Sequence, residues 1–521
     1  MPELSRRQLL GLGGATLLLG GCTAQPTSPS AGPPPSATPR ASASSSPTGR
    51  VDWSALSSRL QGTLLVPGDG GFDQARRLEN PRYDGAMPLA ILAAASGADI
   101  AAGLRFAADR KVPLAVRSGG HNYPGWSGGG AQGSGVPPSL VIDVRGLTAV
   151  TMASDGAVQV GAGASLAQLY SVVGGAGRAL AAGSCATVGV AGLTLGGGVG
   201  VLVRAYGLTC DALTELQIVT ADGRMRTVST AVDADLFWAC RGGGGGHLGV
   251  VTSLTFATHP APPVTTWNLR WPFQDAAAVI AAWQDWAPHA DPRIWSTLKL
   301  LNGTKYTAGP GLFLSGTWIG EPDALSTVLA PLLRAAGRPP SQQTSTARSY
   351  LDAMMGYAGC RGIPVQRCTT APGGALTRES AAATSHIAYA PLDDAGIATL
   401  LAKVESATAV PGLTEGGVSL DALGGAVADL PDAATAFGHR RALMTVQYTA
   451  AFPGGTGTGP MDSYVRGFRS AMVPSWGYGA YVNYADASIT DWGDAYFAGN
   501  AARLAGIRRQ YDPHRLFGQP Q

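Results

Sequence analysis

Glycine is the feature that most constrains how this chain folds. It supplies 73 of the 521 residues, and three glycine-rich segments lie in the first half of the chain, at 117–122, 183–198 and 242–246. Glycine lets a backbone bend sharply or approach another group closely, and successive small residues expose N–H groups that can converge on an anion. The pattern predicts that these segments surround a ligand, for which a dinucleotide diphosphate is the natural candidate.

Composition excludes several other kinds of protein. Hydrophobic residues make up 45% of the chain, which supports a large core and excludes wholesale disorder. The 37 basic and 34 acidic residues nearly cancel and no basic block stands out, so a nucleic-acid partner has no electrostatic support. No pair of His or Cys residues has zinc spacing near a second such pair, so we expect no metal site.

The first residues have the pattern of an export signal. A twin-arginine motif at 5–10 precedes an apolar run to Leu19, which is too short to span a bilayer as a mature helix. The box at 19–22 is similar to a bacterial lipoprotein cleavage site, in which Cys22 becomes the lipidated first residue. We therefore expect residues 1–21 to be removed, and the mature protein to be exported and anchored to the cell membrane by lipid. The alternative is an N-terminal helix with a chance pair of arginines.

Residues 22–50 are expected to form a disordered tether. From Thr23 to Arg50 the chain consists almost entirely of Pro, Ser, Ala, Thr and Gly, which cannot bury enough apolar surface to offset the loss of chain entropy. The twin-arginine route exports proteins already folded, often because a cofactor is inserted inside the cell. The leader therefore also favours a tightly held cofactor.

From Val51 onward the chain mixes short β-branched strands with helices. In the first half the pattern predicts a helix at 99–110 and strands at 113–116, 140–144, 158–160, 213–220 and 249–256. After Pro260 a second α+β unit begins. Its predicted elements are strands at 265–271, 294–301 and 444–448, a helix at 275–286, and a strand-then-helix unit at 312–336. The last part predicts an aromatic strand from Tyr481 and a helix at 499–511.

The doubly wound dinucleotide fold is the first rival explanation of the glycine segments. Gly161 and Gly163 follow a strand, but Leu166 stands where the third glycine of the fingerprint should be, and no acidic residue occurs at the expected distance. Taken alone, His121 could be an exposed histidine and Cys185 an inert buried thiol.

Two of the segments together carry a family resemblance. Residues 115–123, Ala-Val-Arg-Ser-Gly-Gly-His-Asn-Tyr, resemble the covalent-flavin loop of the berberine bridge enzyme-like FAD-linked oxidases, within the vanillyl-alcohol oxidase superfamily. Residues 183–192, Gly-Ser-Cys-Ala-Thr-Val-Gly-Val-Ala-Gly, are similar to that family's second attachment segment. The resemblance covers nearly all of the chain after residue 80, with further motifs at 204–208, 241–252, 435–440, 481–486 and 496–513.

The resemblance implies a fold class and a cofactor. The expected fold is α+β, with a PCMH-type two-part FAD-binding domain at 51–262 and 476–521 and a substrate domain at 263–475, an antiparallel sheet covered by helices. FAD would form two covalent bonds, from His121 to its 8α carbon and from Cys185 to its C6, because imidazole and thiolate can attack an electron-poor ring. The other residues that the resemblance places at the cofactor are Arg117, Ser118, Gly119, Gly120, Asn122, Ser184, Thr187, Val188, Gly189, Gly192, Gly249, Val251 and Asn483.

The chain departs from the family pattern at three positions. Leu193 stands where many members carry His, and Val199 where many plant members carry an aromatic residue. His247 stands where Asn or Ser is common after the glycine run. Since backbone groups dominate that neighbourhood, we expect cofactor binding to survive these changes.

The resemblance also implies catalytic roles. Tyr484 is the expected proton acceptor, and the flavin environment and a hydrogen bond from Gln447 are the candidates to stabilise its phenolate. A free phenol titrates near 10, so a pKa of about 7 requires roughly 4 kcal/mol of preferential phenolate stabilisation. The alternative for Tyr484 is a buried aromatic residue with a satisfied hydroxyl. Val188 is similar to the residue found in oxygen-using members, which favours an oxidase that produces hydrogen peroxide.

The expected function is oxidation of a hydroxyl group on a small molecule. A sugar hemiacetal or secondary-metabolite alcohol would transfer a hydride to flavin N5, and oxygen would accept the electrons. Two alternatives stay open: oxidation of an amine or closure of a ring in a small alkaloid-like or polyketide substrate, and a surface-anchored binding protein without turnover.

The remaining cysteines fit an oxidising compartment. Cys360 and Cys368 bracket a short loop and could form a disulfide, while Cys210 and Cys240 could pair or stay buried. The sequence leaves the oligomeric state open.

Overall fold

The computed structural model describes residues 51–521. The predicted leader, the lipidation site at Cys22 and the tether at 22–50 lie outside the described residues and stay predictions. Within residues 51–521, no helix is both long enough and apolar enough to cross a bilayer.

The described chain folds into strands and helices with the following bounds. The strands are β1 (Thr63–Leu65), β2 (Ala90–Ala93), β3 (Leu114–Arg117), β4 (Leu140–Asp143), β5 (Val150–Met152), β6 (Val158–Gly161), β7 (Arg178–Ala179), β8 (Leu213–Val219), β9 (Met225–Ser229), β10 (Val250–Phe256), β11 (His259–Pro260), β12 (Val264–Trp271), β13 (Ile294–Asn302), β14 (Gly311–Ile319), β15 (Gln342–Arg348), β16 (Ser380–Ala388), β17 (Glu415–Ala422) and β18 (Met444–Phe452). The α-helices are α1 (Ser54–Ser57), α2 (Phe72–Ala75), α3 (Gly97–Arg110), α4 (Leu166–Gly175), α5 (Val190–Leu195), α6 (Val203–Tyr206), α7 (Ala234–Ala239), α8 (Ala276–Trp286), α9 (Pro322–Ala336), α10 (Tyr350–Tyr357), α11 (Asp394–Glu405), α12 (Gly459–Trp476), α13 (Trp492–Phe497) and α14 (Ala501–Tyr511).

The first unit is built on two larger sheets. One has the strand order β1-β2-β4-β3, in which β2, β4 and β3 run parallel and β1 is antiparallel. The other is antiparallel with the order β5-β6-β10-β8-β9. All four residues of β4 are buried, which is typical of a parallel strand covered on both faces.

Helix α3 shows why the local sequence folds as it does. The Ser96 hydroxyl caps its first turn by accepting the Asp99 N–H, so the helix starts at Gly97, two residues before the predicted start. Ile100, Leu104 and Ala107 lie on the buried face, as their helical spacing predicts. The helix ends at Arg110, followed by Lys111 in a left-handed conformation.

The second unit is a seven-stranded antiparallel sheet with the order β15-β12-β14-β13-β17-β18-β16. Helices α8, α9, α11 and α12 cover one face and share a separate hydrophobic core that includes Trp267, Trp283 and Leu298. Because side chains alternate across a strand, every second residue of β13, β17 and β18 faces the first unit instead. This arrangement confirms the predicted α+β fold class with a helix-covered antiparallel sheet.

A buried arginine joins the two units. Arg204 of α6 is 1% exposed and donates hydrogen bonds to the carbonyls of Ile294, Leu423 and Ala290 in the second unit. Burial lowers the pKa of Arg204 to about 10, so the guanidinium stays charged at neutral pH. Such a group cannot leave its carbonyl partners without becoming an unpaired buried charge.

The chain after Trp476 returns to the core of the first unit, where Tyr481, Phe497 and Leu504 are buried. The predicted aromatic strand is wrong: Val482–Tyr484 form a short 3-10 helix, because the Tyr484 N–H bonds to the Tyr481 carbonyl. Residues three apart share one face of a 3-10 helix, so the two tyrosines come together. The predicted helix at 499–511 begins at Ala501.

Apart from Cys185, the cysteines of residues 51–521 form a linked and an unlinked pair. Cys360 and Cys368 form the predicted disulfide, with Cα atoms 5.8 Å apart. Cys210 and Cys240 form no disulfide and are fully buried. Burial raises the pKa of both thiols, to about 12 for Cys240, so they stay protonated and unreactive.

Candidate active site

A cavity of about 450 Å³ lies between the two units. On one side is the glycine wall, which we define as the cavity-lining residues within 118–123, 183–201 and 244–251. Opposite is the sheet wall, whose members project from the strands of the second unit: Trp295, Thr297, Lys299, Ser315, Ser419, Asp421 and Gln447. Residues 482–484 close the cavity from a third direction.

Two glycines bring the predicted attachment residues together. A Cβ atom on Gly119 would stand 2.3 Å from the Gly189 nitrogen, and one on Gly189 would stand 2.1 Å from the Ser118 hydroxyl oxygen. The two segments can therefore cross only if both residues are glycine. Because of this crossing, His121 and Cys185 line the same cavity.

Most of the predicted cofactor residues line the cavity beside His121 and Cys185. They are Ser118, Gly119, Gly120, Asn122, Ser184, Val188, Gly189, Gly192, Gly249, Val251 and Asn483. The predicted catalytic residues Tyr484 and Gln447 also line it.

Arg117 and Thr187 are the two predicted cofactor residues that do not line the cavity, and their contact with the cofactor stays a prediction. Arg117 is fully buried, and its guanidinium pairs with the Asp143 carboxylate at 2.8 Å and bonds to the Ala75 carbonyl at 2.8 Å. It fastens β3 to β4 and to the chain before them. The Thr187 hydroxyl lies 2.9 Å from Nε2 of His121, so Thr187 contacts the attachment residue.

The C-terminal segment holds the glycine run at 196–198. The Tyr481 hydroxyl accepts the N–H groups of Gly198 at 2.9 Å and Val199 at 3.2 Å. The Asn483 amide donates to the Leu193 carbonyl and to the Tyr481 hydroxyl, both at 2.9 Å. Burial raises the pKa of Tyr481 to about 12, which keeps its hydroxyl neutral.

Tyr484 lies among aromatic rings at the cavity. It stacks on Tyr123 with ring centroids 5.5 Å apart and meets the Tyr481 ring edge-on at 5.0 Å. Burial raises the pKa of Tyr484 well above its ordinary value, and the nearby Asp421 carboxyl adds to the rise. The surrounding residues therefore disfavour the Tyr484 phenolate, whereas the predicted role of Tyr484 as a base requires that phenolate to be stabilised.

Gln447 has a different hydrogen-bond partner from the one predicted. Its amide donates to the hydroxyl of Tyr123, whereas the sequence argument assigned this hydrogen bond to Tyr484. Burial raises the pKa of Tyr123 as well, so Gln447 pairs with a neutral phenol. The pair joins the glycine wall to the sheet wall across the cavity.

Asp421 is a cavity residue that the sequence analysis missed. It lies on β17 directly opposite Thr297 of β13, and Lys299 pairs with Ser419 two positions along. Burial raises the pKa of Asp421, while the charge of Lys299 acts in the opposite direction. Strand alternation within 415–422 could have shown that Ser419 and Asp421 share a face, but not that the face meets Tyr484.

The glycine wall fits a dinucleotide. His247 is only 5% exposed, and its Nδ1 is buried without a hydrogen-bond partner among the residues of the described chain. Burial lowers the pKa of His247 to about 3, so this side chain is a neutral donor or acceptor at the cavity. A buried polar atom left unsatisfied by the protein indicates a ligand partner.

Comparisons with known proteins agree with this geometry. The family described as FAD binding domain matches residues 88–229, and the family described as berberine and berberine like matches residues 480–521. The FAD-linked oxidoreductase YgaK of Bacillus subtilis (strain 168) is 31% identical over 471 residues, which cover 88% of this chain and 96% of YgaK. The chitooligosaccharide oxidase of Gibberella zeae is 28% identical over 479 residues, which cover 88% of this chain and 92% of that protein.

A solved structure extends the likeness to three dimensions. Glucooligosaccharide oxidase from Acremonium strictum is 26% identical, with a TM-score of 0.77 over 89% of this chain and 97% of that one. Its description names a 6-S-cysteinyl, 8α-N1-histidyl FAD. The comparisons confirm FAD as the cofactor and the PCMH-type architecture.

Proposed function

Because the chain belongs to the berberine bridge enzyme-like FAD-linked oxidoreductases, we propose that it is an oxidase of hydroxyl groups on a sugar hemiacetal or secondary-metabolite alcohol. Oxygen is the electron acceptor and hydrogen peroxide the second product. The observation that carries the proposal is the polar sheet wall, on which Asp421 lies near Tyr484. This wall lines the same cavity as His121 and Cys185, the two residues suited to bond FAD. Relatives named as oligosaccharide oxidases support the same substrate class.

His121 and Cys185 hold the cofactor in this proposal. An imidazole and a thiol lining one cavity match the two kinds of bond named for the glucooligosaccharide oxidase cofactor. Two bonds fix the ring between the walls and prevent its loss by dissociation. When bound, FAD accepts the hydride of the reacting carbon and passes the electrons to oxygen.

The hydroxyl proton needs an acceptor on the protein. Burial raises the pKa of Tyr484, so its phenol keeps its proton. Its oxygen accepts a hydrogen bond from the substrate hydroxyl, and Tyr484 acts as a relay for the hydroxyl proton. Asp421 interacts with Tyr484 and, once ionised, is the base that draws the proton through it. Orientation by Tyr484 and proton acceptance by Asp421 replace the phenolate base expected from the sequence.

The rest of the sheet wall suits a hydroxylated ligand. Ser315 and Ser419 are hydroxyl-bearing residues that line the cavity, and Trp295 adds an aromatic surface. Hydroxyls donate and accept, so such a wall can meet several orientations of a sugar hydroxyl. Val188 lies on the glycine wall, and its small side chain supports access of oxygen.

We also propose that the mature protein is exported and held at the cell membrane through Cys22. The twin-arginine motif and the lipoprotein box support this, and a covalently held cofactor suits a compartment where free FAD is scarce. Metabolic labelling with palmitate should mark the wild-type chain and leave Cys22→Ser unlabelled. Label on the variant, or none on the wild type, contradicts the anchor.

A peroxide assay tests the enzymatic proposal. Purified protein is mixed with oligosaccharides, simple alcohols and amines in two assays. Bleaching of the flavin absorbance is followed without oxygen, and peroxide release is followed after oxygen is added. We expect sugars or alcohols to bleach the flavin and oxygen to restore it with peroxide release. Reduction by amines alone assigns the chain to amine oxidation. A flavin that no donor reduces indicates a binding protein.

A further inference from the structure

A carboxylate stands behind the predicted attachment histidine. Oε2 of Glu79 lies 3.9 Å from Nε2 of His121, and the two side chains are 22% and 24% exposed. The same oxygen accepts a hydrogen bond from the Thr370 hydroxyl at 2.8 Å. The backbone N–H of Glu79 bonds to the Gly120 carbonyl at 3.2 Å. Glu79 is therefore fixed beside the covalent-flavin loop by contacts from both units.

The Thr187 hydroxyl and the Glu79 carboxylate, both near Nε2 of His121, differ in whether they select one neutral form of the imidazole. The Thr187 hydroxyl, 2.9 Å away, can donate or accept and so does not choose between the two neutral forms of the imidazole. An ionised carboxylate attracts a positive hydrogen and repels a lone pair, and at 3.9 Å it acts as a charge without a direct hydrogen bond. Glu79 therefore favours the form with its proton on Nε2 and its lone pair on Nδ1.

We propose that Glu79 is the positioning residue for covalent attachment of FAD at His121. It holds the imidazole proton on Nε2, so that Nδ1 is the nucleophile toward the 8α carbon, and its negative charge stabilises the imidazolium that forms before the Nε2 proton is lost. One methyl C–H bond and one imidazole N–H bond are lost, and one C–N bond is gained. The two electrons and two protons released pass to molecular oxygen, which leaves as hydrogen peroxide. The inference concerns attachment and does not depend on the substrate.

The Glu79→Gln variant tests the proposal, because it keeps the shape and removes the charge. Trypsin cleaves after Arg117, Arg145, Arg178 and Arg204, so His121 and Cys185 fall in separate peptides, 118–145 and 179–204. One FAD bonded to both residues joins these two peptides, so mass spectrometry of the digest distinguishes the cross-linked pair from either peptide carrying flavin alone. We expect the cross-linked pair to fall by at least about tenfold and to be replaced by the Cys185 peptide carrying flavin alone.

Three further variants separate a charge effect from a structural fault. Glu379→Gln is the matched control, because this half-exposed carboxylate pairs with Lys305 and not with His121, and it should leave both bonds unchanged. Glu79→Asp restores the carboxylate and should regain part of the His121 bond. Thr370→Val removes the hydrogen bond that holds Glu79 and should weaken the His121 bond less than Glu79→Gln. Equal bonding in Glu79→Gln and wild type, or a parallel fall of both bonds, overturns the proposal.

Discussion

The two walls of the cavity are built in opposite ways. The glycine wall comes from contiguous segments whose backbone does the shaping, as where Gly119 and Gly189 cross in contact. The sheet wall comes from single side chains on β13, β14, β17 and β18, which are far apart along the chain and meet only through strand register. The backbone wall tolerates no added Cβ where its segments cross at Gly119 and Gly189, whereas a side-chain wall can vary and leave the fold intact. Cofactor and substrate recognition are thereby separated.

The largest expected effect comes from adding one carbon to the glycine wall. Gly189→Ala places a Cβ against Ser118 and Gly119, so it should lower the free energy of unfolding by roughly 3 kcal/mol and abolish flavin attachment. Gly175→Ala is the control, because no atom lies within 4 Å of its added Cβ. Chemical denaturation and flavin fluorescence in a denaturing gel give the two readouts. Full flavin in Gly189→Ala contradicts a wall set by backbone contact.

The next largest effect is expected at Asp421 on the sheet wall, where a substitution should slow catalysis and leave the cofactor attached. Asp421→Asn removes the proposed base and should slow flavin reduction by about 100-fold at neutral pH. Since burial raises the pKa of Asp421, the wild-type rate should rise with pH through a pKa above the ordinary Asp value of about 3.9, where the base loses its proton. The variant should lack this acid limb. The measurement is stopped-flow reduction across pH, and an unchanged limb removes Asp421 from the mechanism.

Tyr484→Phe should have a smaller effect. The ring keeps its stacking on Tyr123, so the variant should stay yellow, while loss of the hydroxyl should slow flavin reduction by about tenfold or more. An unchanged reductive half-reaction would show that Tyr484 only packs against its neighbours.

The smallest effect is expected at Lys299. Its charge lowers the pKa of Asp421, so Lys299→Met should move the acid limb to higher pH and reduce the rate by about threefold on that limb, with little change above it. Arg293→Met is a control on the same unit, because this exposed guanidinium pairs with Asp291. A limb that moves to lower pH contradicts the assigned electrostatics.

The sequence predicted the glycine wall well because its signals are local. His121, Cys185 and the glycines between them carry their motifs within a few residues, and the structure brings them to one cavity. Arg117 belongs to the same motif but turns inward to Asp143, a contact between two strands that no local pattern reveals. The contact of Thr187 with His121 and that of Glu79 with His121 likewise depend on loops meeting in space.

The sheet wall was largely beyond sequence reasoning. Asp421 matters because β17 pairs with β13 and faces the first unit, and both facts depend on long-range register. Dependence on long-range contacts also explains why the predicted strand from Tyr481 is wrong. Its aromatic residues favour a strand, but the Tyr484 N–H bonds to the Tyr481 carbonyl in a turn, and the Tyr481 hydroxyl accepts the distant N–H groups of Gly198 and Val199.

The hydrogen bonds that join Tyr481 and Asn483 to the glycine run have a consequence for the order in which the site is assembled. Translation reaches these residues only after the ribosome has made both walls, so a nascent chain that stops before residue 480 has a pocket open on one side. Completion of the cavity therefore waits for the last part of the chain to be made.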